Sequence, residues 1–258
     1  MTSYSVSQWL LFFYIYCFIG WFYESLKVSL EEKKFVNRGF LRIPFLPIYG
    51  FGALVMLIST LWVKENPTLV FIFGALSASI LEYFTGTIME FIFKVKYWDY
   101  SKVKYNIKGR ICLLTSCLWG FFTLLLMYQL HELVEKVAFY FSDIGLIITV
   151  TIISLIFVAD SFYSIKTAIN LKTVLLRLTE LKEDVEQIVT EKVENSEVAH
   201  VILEKSATLK LESQKIFSKL TFYHRSLIKA HPKATSSKFS EALNELRLAI
   251  TNVKKISK

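Results

Sequence analysis

Apolar residues crowd the first two thirds of this chain in long runs and then thin into a spaced, helical pattern. Five runs, at 6–25, 44–63, 69–93, 111–130 and 144–165, each come near the ~20 apolar residues that a helix needs to cross a bilayer core. The pattern predicts an all-α, polytopic membrane domain over 1–165 with five transmembrane helices, then a helical segment over 166–258. In that tail Leu171, Val174, Leu178, Leu181, Val185 and Ile188 alternate by three and four, the spacing of a coiled-coil seam. Phe239, Leu243, Leu246, Ile250 and Val253 form a second seam, with Ser236 and Ser237 available as caps. Ile202, Leu209, Ile216 and Tyr223 recur more weakly between them. No Gly or Pro falls between Leu146 and His231, so the fifth helix is expected to run straight on into the tail. A break near Asn195–Ser196 and a turn at His231–Pro232 would fold the tail into a helical hairpin or three-helix bundle. The other reading is a helix that pairs with a second subunit.

Charge orients this arrangement. Lys27, Lys33, Lys34, Arg38 and Arg42 fall in the first loop, and Lys94, Lys96, Lys102, Lys104, Lys108 and Arg110 in the third. The second loop has only Lys64 and the fourth only Lys136. Basic loops stay in the cytoplasm, so the N-terminus is expected outside and the tail inside. Residues 1–165 carry 13 Lys and Arg against 11 Asp and Glu, and the tail 17 against 11. A basic tail beside a membrane suits anionic lipid. Its bases alternate with acids along helices, which argues against nucleic acid as a partner.

Acids inside the apolar runs carry the chemistry. Glu24, Glu82, Glu90 and Asp160 lie in or at the edge of spanning segments. By helical rise Glu82 sits roughly 20 Å below the outer surface, past the middle of a ~30 Å core. Asp160 also falls in the inner half. A charge at such depth costs at least about 2.5–3.5 kcal/mol and faces a bundle interior. Arg38, Arg42 and Arg110 are the nearest cations by depth. Glu24 and Glu90 are expected in interfacial ion pairs, Arg110 taking one of them, whereas Glu82 and Asp160 read as a polar interior or pathway. The small residues Ala75, Ala78, Ser79, Thr85 and Gly86 share a face with Glu82, Met89 and Glu90. Cys112, Ser116, Gly120 and Thr123 do the same on the fourth helix, and Cys17 and Gly20 with Glu24 on the first. Small residues at this spacing let helices approach closely in lipid.

The two basic loops look alike. Arg38-Gly39 precedes Tyr49-Gly50, and Gly109-Arg110 precedes Trp119-Gly120, with equal glycine-to-glycine spacing. Asn37 and Asn106 stand before the glycines, and Glu24 and Glu90 near the ends of the preceding helices. Two parallel repeats about an axis along the membrane normal would explain this; so would similar composition in two membrane-edge loops.

Motifs for catalysis are missing. No phosphate-cradling G-x-x-x-x-G-K-[ST], zinc-binding H-E-x-x-H or G-x-S-x-G nucleophile elbow occurs. His131-Glu132-x-x-Glu135 lacks a second His and reads as an exposed amphipathic turn outside the membrane. Cys17, Cys112 and Cys117 lie in apolar runs without a disulfide framework or a metal-ligand spacing. The chain is therefore not expected to be an enzyme or to hold a cofactor.

The ordered motifs N-R-G-F-L…P-I-Y-G-F-G, L-E-Y…M-E, W-D-Y-S and N-x-x-G-R-I-C-L-L-x-S-x-x-W-G, over roughly residues 9–128, resemble the family described as Putative ABC-transporter type IV. The matching positions are Glu24, Asn37, Arg38, Gly39, Pro44, Pro47, Tyr49, Gly50, Glu82, Tyr83, Glu90, Trp98, Asp99, Tyr100, Asn106, Gly109, Arg110, Ser116, Trp119 and Gly120. The family has Gly where this chain has Ile43. The resemblance implies a permease-like membrane subunit in a bacterial plasma membrane that works with a separate ATPase. A membrane-anchored scaffold or signalling protein, acting through its tail and able to self-associate there, is the alternative.

Overall fold

A computed structural model describes residues 4–192, 224, 228, 234–236, 239–244 and 246–248. The chain divides into two compact units, Met1–Met89 with Trp98–Ser164, and Glu90–Tyr97 with Ile165–Lys258. Over residues 4–192 six α-helices follow in order: α1 (Val6–Glu32), α2 (Pro47–Thr60), α3 (Pro67–Phe93), α4 (Leu113–Leu125), α5 (His131–Tyr140) and α6 (Asp143–Lys192). A two-stranded antiparallel hairpin, β1 (Asn106–Ile107) and β2 (Ile111–Cys112), precedes α4 and departs from the expected all-α content.

Local chemistry sets the helix ends. Ser5 and Gln8 close a capping box on α1, the Ser5 amide donating to Gln8 Oε1 at 2.8 Å and the Gln8 amide to Ser5 Oγ at 3.3 Å. Asn66 caps α3, its Oδ1 accepting from the Thr68 and Leu69 amides at 3.1 and 3.2 Å, with Pro67 at the first helical position. The second apolar run starts its helix at Pro47, not at 44. Leu46 before that proline is extended, and its amide donates to the carbonyl of Cys17 at 3.0 Å instead of joining a helix.

Among the described residues four helices are long and apolar enough to cross a membrane: Val6–Glu32, Pro67–Phe93, Leu113–Tyr140 and the Asp143–Glu180 part of α6. Pro47–Val63, where a 3-10 turn extends α2, is a shorter apolar helix. The fourth span outruns its expected end at 130. A π-turn over Leu126–Leu130 absorbs the register change and hands the chain directly to α5. The supposed exposed turn at His131 is thus helical, and His131 itself is buried at 4 % exposure. Apolar faces point outward along these helices. On α3, Ile72, Leu76, Ile80, Phe84 and Ile88 are all exposed at i, i+4 spacing, a stripe suited to acyl chains rather than water.

Glycine contacts hold the first unit together. A Cβ on Gly50 of α2 would strike Cys17 Sγ and the Phe13 ring of α1, and one on Gly120 of α4 would lie 2.6 Å from the Phe71 ring of α3. Gly20 likewise lies under Tyr49, and Gly74 under Thr123. Two helical hairpins result, α1 with α2 and α3 with α4. They meet where Ser59 and Ser77 hydroxyls lie 3.0 Å apart and Thr123 Oγ1 donates to Met56 Sδ at 2.8 Å. α6 packs on the first hairpin through Phe157 against Phe13 and Tyr14, with Tyr14 Oη donating to Ser154 Oγ at 2.7 Å.

In the second unit the buried seam of α6 is Ala168, Leu171, Leu175 and Leu178. Leu175 takes the place that the heptad reading gave to Val174, a half-buried residue. Phe239, Leu243 and Leu246 are buried as the second seam requires, and Ser236 caps their helix by accepting from the Phe239 amide at 3.0 Å. Thr235 bridges to Lys96 as an isolated antiparallel pair. The side chains of Leu181, Val185 and Ile188, and all of Ile202, Leu209, Ile216, Tyr223, Ser237, Ile250, Val253 and both supposed tail turns, lie outside the described residues.

Close packing at Gly50 and Gly120 makes a specific prediction. Gly50→Ala and Gly120→Ala should each lower stability by about 1–3 kcal/mol through overpacking. Gly52→Ala, whose nearest neighbour would be the flexible Met56 Cε at 3.7 Å, should be tolerated. Thermal unfolding of the detergent-purified variants checks this; equal midpoints for Gly50→Ala and Gly52→Ala would reject the packing argument.

Candidate functional site

The two hairpins build the same constellation twice. Close contact at Gly50 and Gly20 seats the Tyr49 ring against α1, and Tyr49 Oη donates to Glu24 Oε1 at 2.7 Å. Contact at Gly120 seats Trp119 against α3, and its indole Nε1 donates to Glu82 Oε2 at 2.9 Å. Phe13 precedes Glu24 by the same interval as Phe71 precedes Glu82, and each phenyl ring packs on the glycine that follows the aromatic donor. The sequence comparison matched Glu24 with Glu90. Packing matches it instead with Glu82, while Glu90 falls in the other unit. This agreement of contacts favours the repeat over mere similarity of composition.

The loops repeat a further device. Asn37 Oδ1 accepts from the Gly39 amide at 2.9 Å and from Trp21 Nε1 at 2.8 Å. Asn106 Oδ1 accepts from the Gly109 amide at 3.0 Å, and its Nδ2 donates to the carbonyl of Val103 at 2.7 Å. Lys108 and Gly109, the central residues of the tight turn Ile107–Arg110, both have positive φ, 52° and 68°. That is the conformation a short antiparallel hairpin demands, and Gly109 supplies it without strain. Asp99 folds the approach to this turn by accepting from the Ser101 amide and hydroxyl, at 2.9 and 2.5 Å. Trp98 Nε1 donates to the carbonyl of Arg110 at 2.9 Å, beside Gly86. The Arg110 guanidinium lies 5.5 Å from the centroid of the Tyr83 ring.

The two carboxylates differ in their company. Glu24 is half-buried and has a cation, Arg38 Nε at 3.7 Å. Arg38, not Arg110, is thus its ion-pair partner. Burial lowers the Arg38 pKa from its usual value, and the Glu24 charge opposes that shift. Glu82 is 6 % exposed and takes two neutral donors, Trp119 and Tyr100, the latter at 3.2 Å. Burial, reinforced by the Glu82 charge, raises the Tyr100 pKa, so the phenol keeps its proton and remains a donor. Tyr49 and Trp119 meet edge to face, 6.1 Å between centroids, and so link the two carboxylates. Ser79 Oγ donates to Ser116 Oγ at 2.7 Å one turn from Glu82. Tyr49, Tyr100 and Trp119 were legible only as motif positions; their role as donors to the acids needed the packing.

Asp160 does not join this cluster. Its Oδ2 accepts from the amides of Arg42 and Ile43 at 2.8 and 3.2 Å, and it is buried at 9 % exposure. It clamps the first loop's backbone just before Pro44. His131 makes a separate buried group. Its Nδ1 lies 2.9 Å from Tyr16 Oη and its Nε2 3.2 Å from Tyr4 Oη, while Tyr4 donates to Glu135 Oε1 at 2.8 Å. No sequence motif announced it, since its partners come from the far N-terminus and α1.

The family model described as Putative ABC-transporter type IV matches residues 11–165. The chain belongs to this family. The match takes in both hairpins, the loops between their helices and the part of α6 that packs on them, so the repeated carboxylate constellation lies wholly inside the ABC-transporter type IV region. Residues 166–258 lie outside it. No curated protein and no solved structure matches the chain. With this family and four apolar helices of spanning length, the molecule is a membrane protein.

The Asp160 clamp is testable. Asp160→Ala should leave two amides without an acceptor, at about 1–3 kcal/mol each, and speed hydrogen exchange across residues 42–46. Asp160→Asn, which keeps a carbonyl oxygen, should restore most of the protection. Unchanged exchange in Asp160→Ala would show that the clamp is dispensable.

Proposed function

We propose that this protein is the permease-like membrane subunit of a bacterial transporter and works with a separate ATPase. The observation that carries the reading is Glu82, a buried carboxylate held by neutral donors where two repeated hairpins meet. Repeat interfaces near the middle of the bilayer are where transporters place their substrate and coupling-ion sites, and a buried intramembrane acid is a functional group by default. The family name points the same way. No nucleotide-binding motif occurs in the sequence, so the energy source is assigned to a partner.

In this proposal all five apolar helices cross. Pro47–Val63, fourteen α-helical and three 3-10 residues, spans about 27 Å, close to the ~30 Å core. The N-terminus is outside and the tail cytoplasmic, because the bases concentrate in the first and third loops. The length of α6 and the second compact unit favour one further reading, a scaffold that acts through its tail. Activity that survives deletion of 166–258 argues for transport, and activity retained by the isolated tail for scaffolding.

Glu82→Gln should leave abundance near normal yet abolish the transport or resistance phenotype, because the amide oxygen can still accept from Trp119 while its NH2 donates to the Tyr100 hydroxyl, but the charge and the titratable proton are lost. Normal function at normal abundance would remove Glu82 from any mechanism. For orientation, an impermeant thiol reagent on intact cells should label Glu65→Cys and not Lys102→Cys; the reverse pattern would invert the topology.

A further inference from the structure

The β1–β2 hairpin and its approach, residues 101–112, present a surface that the proposed transport role does not use. Lys102, Lys104 and Lys108 are exposed, and none makes a side-chain hydrogen bond or ion pair with a described residue. Between them Tyr105 and Ile107 stand 79 % and 55 % exposed. The nearest acid in sequence, Asp99, is exposed, but one of its oxygens is engaged by the Ser101 amide and hydroxyl.

This presentation is built rather than slack. Tyr105, Lys108 and Gly109 all have positive φ, at 55°, 52° and 68°. A bulky residue such as tyrosine adopts that region only where its surroundings enforce it. Here the Tyr105 carbonyl accepts from the Leu113 amide at 3.1 Å, Asn106 ties the turn from both ends of its carboxamide, and the Tyr100 amide donates to the carbonyl of Gly109 at 2.8 Å. The backbone thus carries strain while an aromatic ring and an isoleucine are held outward among three lysines.

The surface also runs directly into lipid-facing helix. Leu113 and Leu114, immediately after β2, are 56 % and 63 % exposed, and Leu118, Phe121 and Leu125 continue the apolar face of α4. A protein docking site would have to begin in water and end in hydrocarbon. A headgroup layer matches both parts, since tyrosine settles at the membrane interface and unpaired lysines attract acidic lipids there.

We propose that this hairpin is an acidic-phospholipid contact: Lys102, Lys104 and Lys108 engage headgroup phosphates while Tyr105 and Ile107 lie at the interface. The proposal needs the hairpin to lie at a membrane face but does not depend on transport. The test is hydrogen exchange of the full-length protein in nanodiscs of phosphatidylcholine, with and without phosphatidylglycerol. Exchange across 101–112 should slow about fivefold or more when phosphatidylglycerol is present, the factor expected from even one lysine's attraction to an acidic surface. Salt at about 0.5 M should reverse most of it. The triple variant Lys102→Gln, Lys104→Gln, Lys108→Gln should lose the lipid dependence while its melting in detergent stays unchanged. Equal exchange in the two lipids would overturn the proposal. So would slowing found in native membrane vesicles but not in phosphatidylglycerol discs, which would assign the surface to a protein partner.

Discussion

Contact between a helix backbone and the side chain facing it, made possible by glycine, is the constraint on which the first unit depends. In lipid there is no gain from hiding one apolar surface against another, so helix pairs hold by van der Waals fit and hydrogen bonds. Gly50 and Gly120 each admit a phenyl ring to the backbone, from Phe13 and Phe71. That approach brings the preceding residue, Tyr49 or Trp119, within hydrogen-bond reach of an acid on the neighbouring helix. Without the glycine the aromatic donor would stand off, and a carboxylate would lie in hydrocarbon with its lone pairs unfilled. The same two positions therefore set the helix packing and the polar chemistry.

Depth and loop structure follow from this. Arg38 reaches Glu24 because Asn37 turns the chain at Gly39 and Ser25 Oγ accepts the Arg38 amide at 3.1 Å. Tyr100 reaches Glu82 because its amide is pinned to the carbonyl of Gly109. In each hairpin an asparagine fixes a loop glycine, and the loop in turn supplies a side chain to the buried acid. The loops are part of the site.

Much of this was readable in the residues and some was not. Runs of apolar residues locate the helices well, because bilayer thickness imposes a length that composition reveals. The start of α2 was misread by a few residues, since hydrophobicity cannot tell Pro44 from Pro47, whereas the backbone bonds at Leu46 and Ile43 can. His131 was misread because one histidine after an apolar run gives no sign that Tyr4 and Tyr16 will meet it from another helix. A three-four alternation through Val174 fits a neighbouring register through Leu175 equally well where apolar residues are dense. Glu90 was matched to Glu24 by its place near a helix end. Contacts, not positions, identified Glu82 as the true counterpart.

That correction changes what the repeat means. Had Glu24 and Glu90 been equivalent, both would have been interfacial acids and Glu82 an addition to one half alone. With Glu24 and Glu82 equivalent, the halves hold the same acid and the same kind of aromatic donor and differ in the last partner. The first half places a cation, Arg38, and the second a neutral phenol, Tyr100. The residue standing where Arg38 would recur, one before the loop glycine, is Lys108, and it is exposed on the hairpin instead. A carboxylate with an internal cation is already compensated and gains little from another positive charge. One held only by neutral donors is not, and in a water-poor interior its charge is far more sensitive to whatever approaches. The repeat thus supplies its own internal control: one half shows how the fold neutralises this acid, and the other shows that at Glu82 it does not.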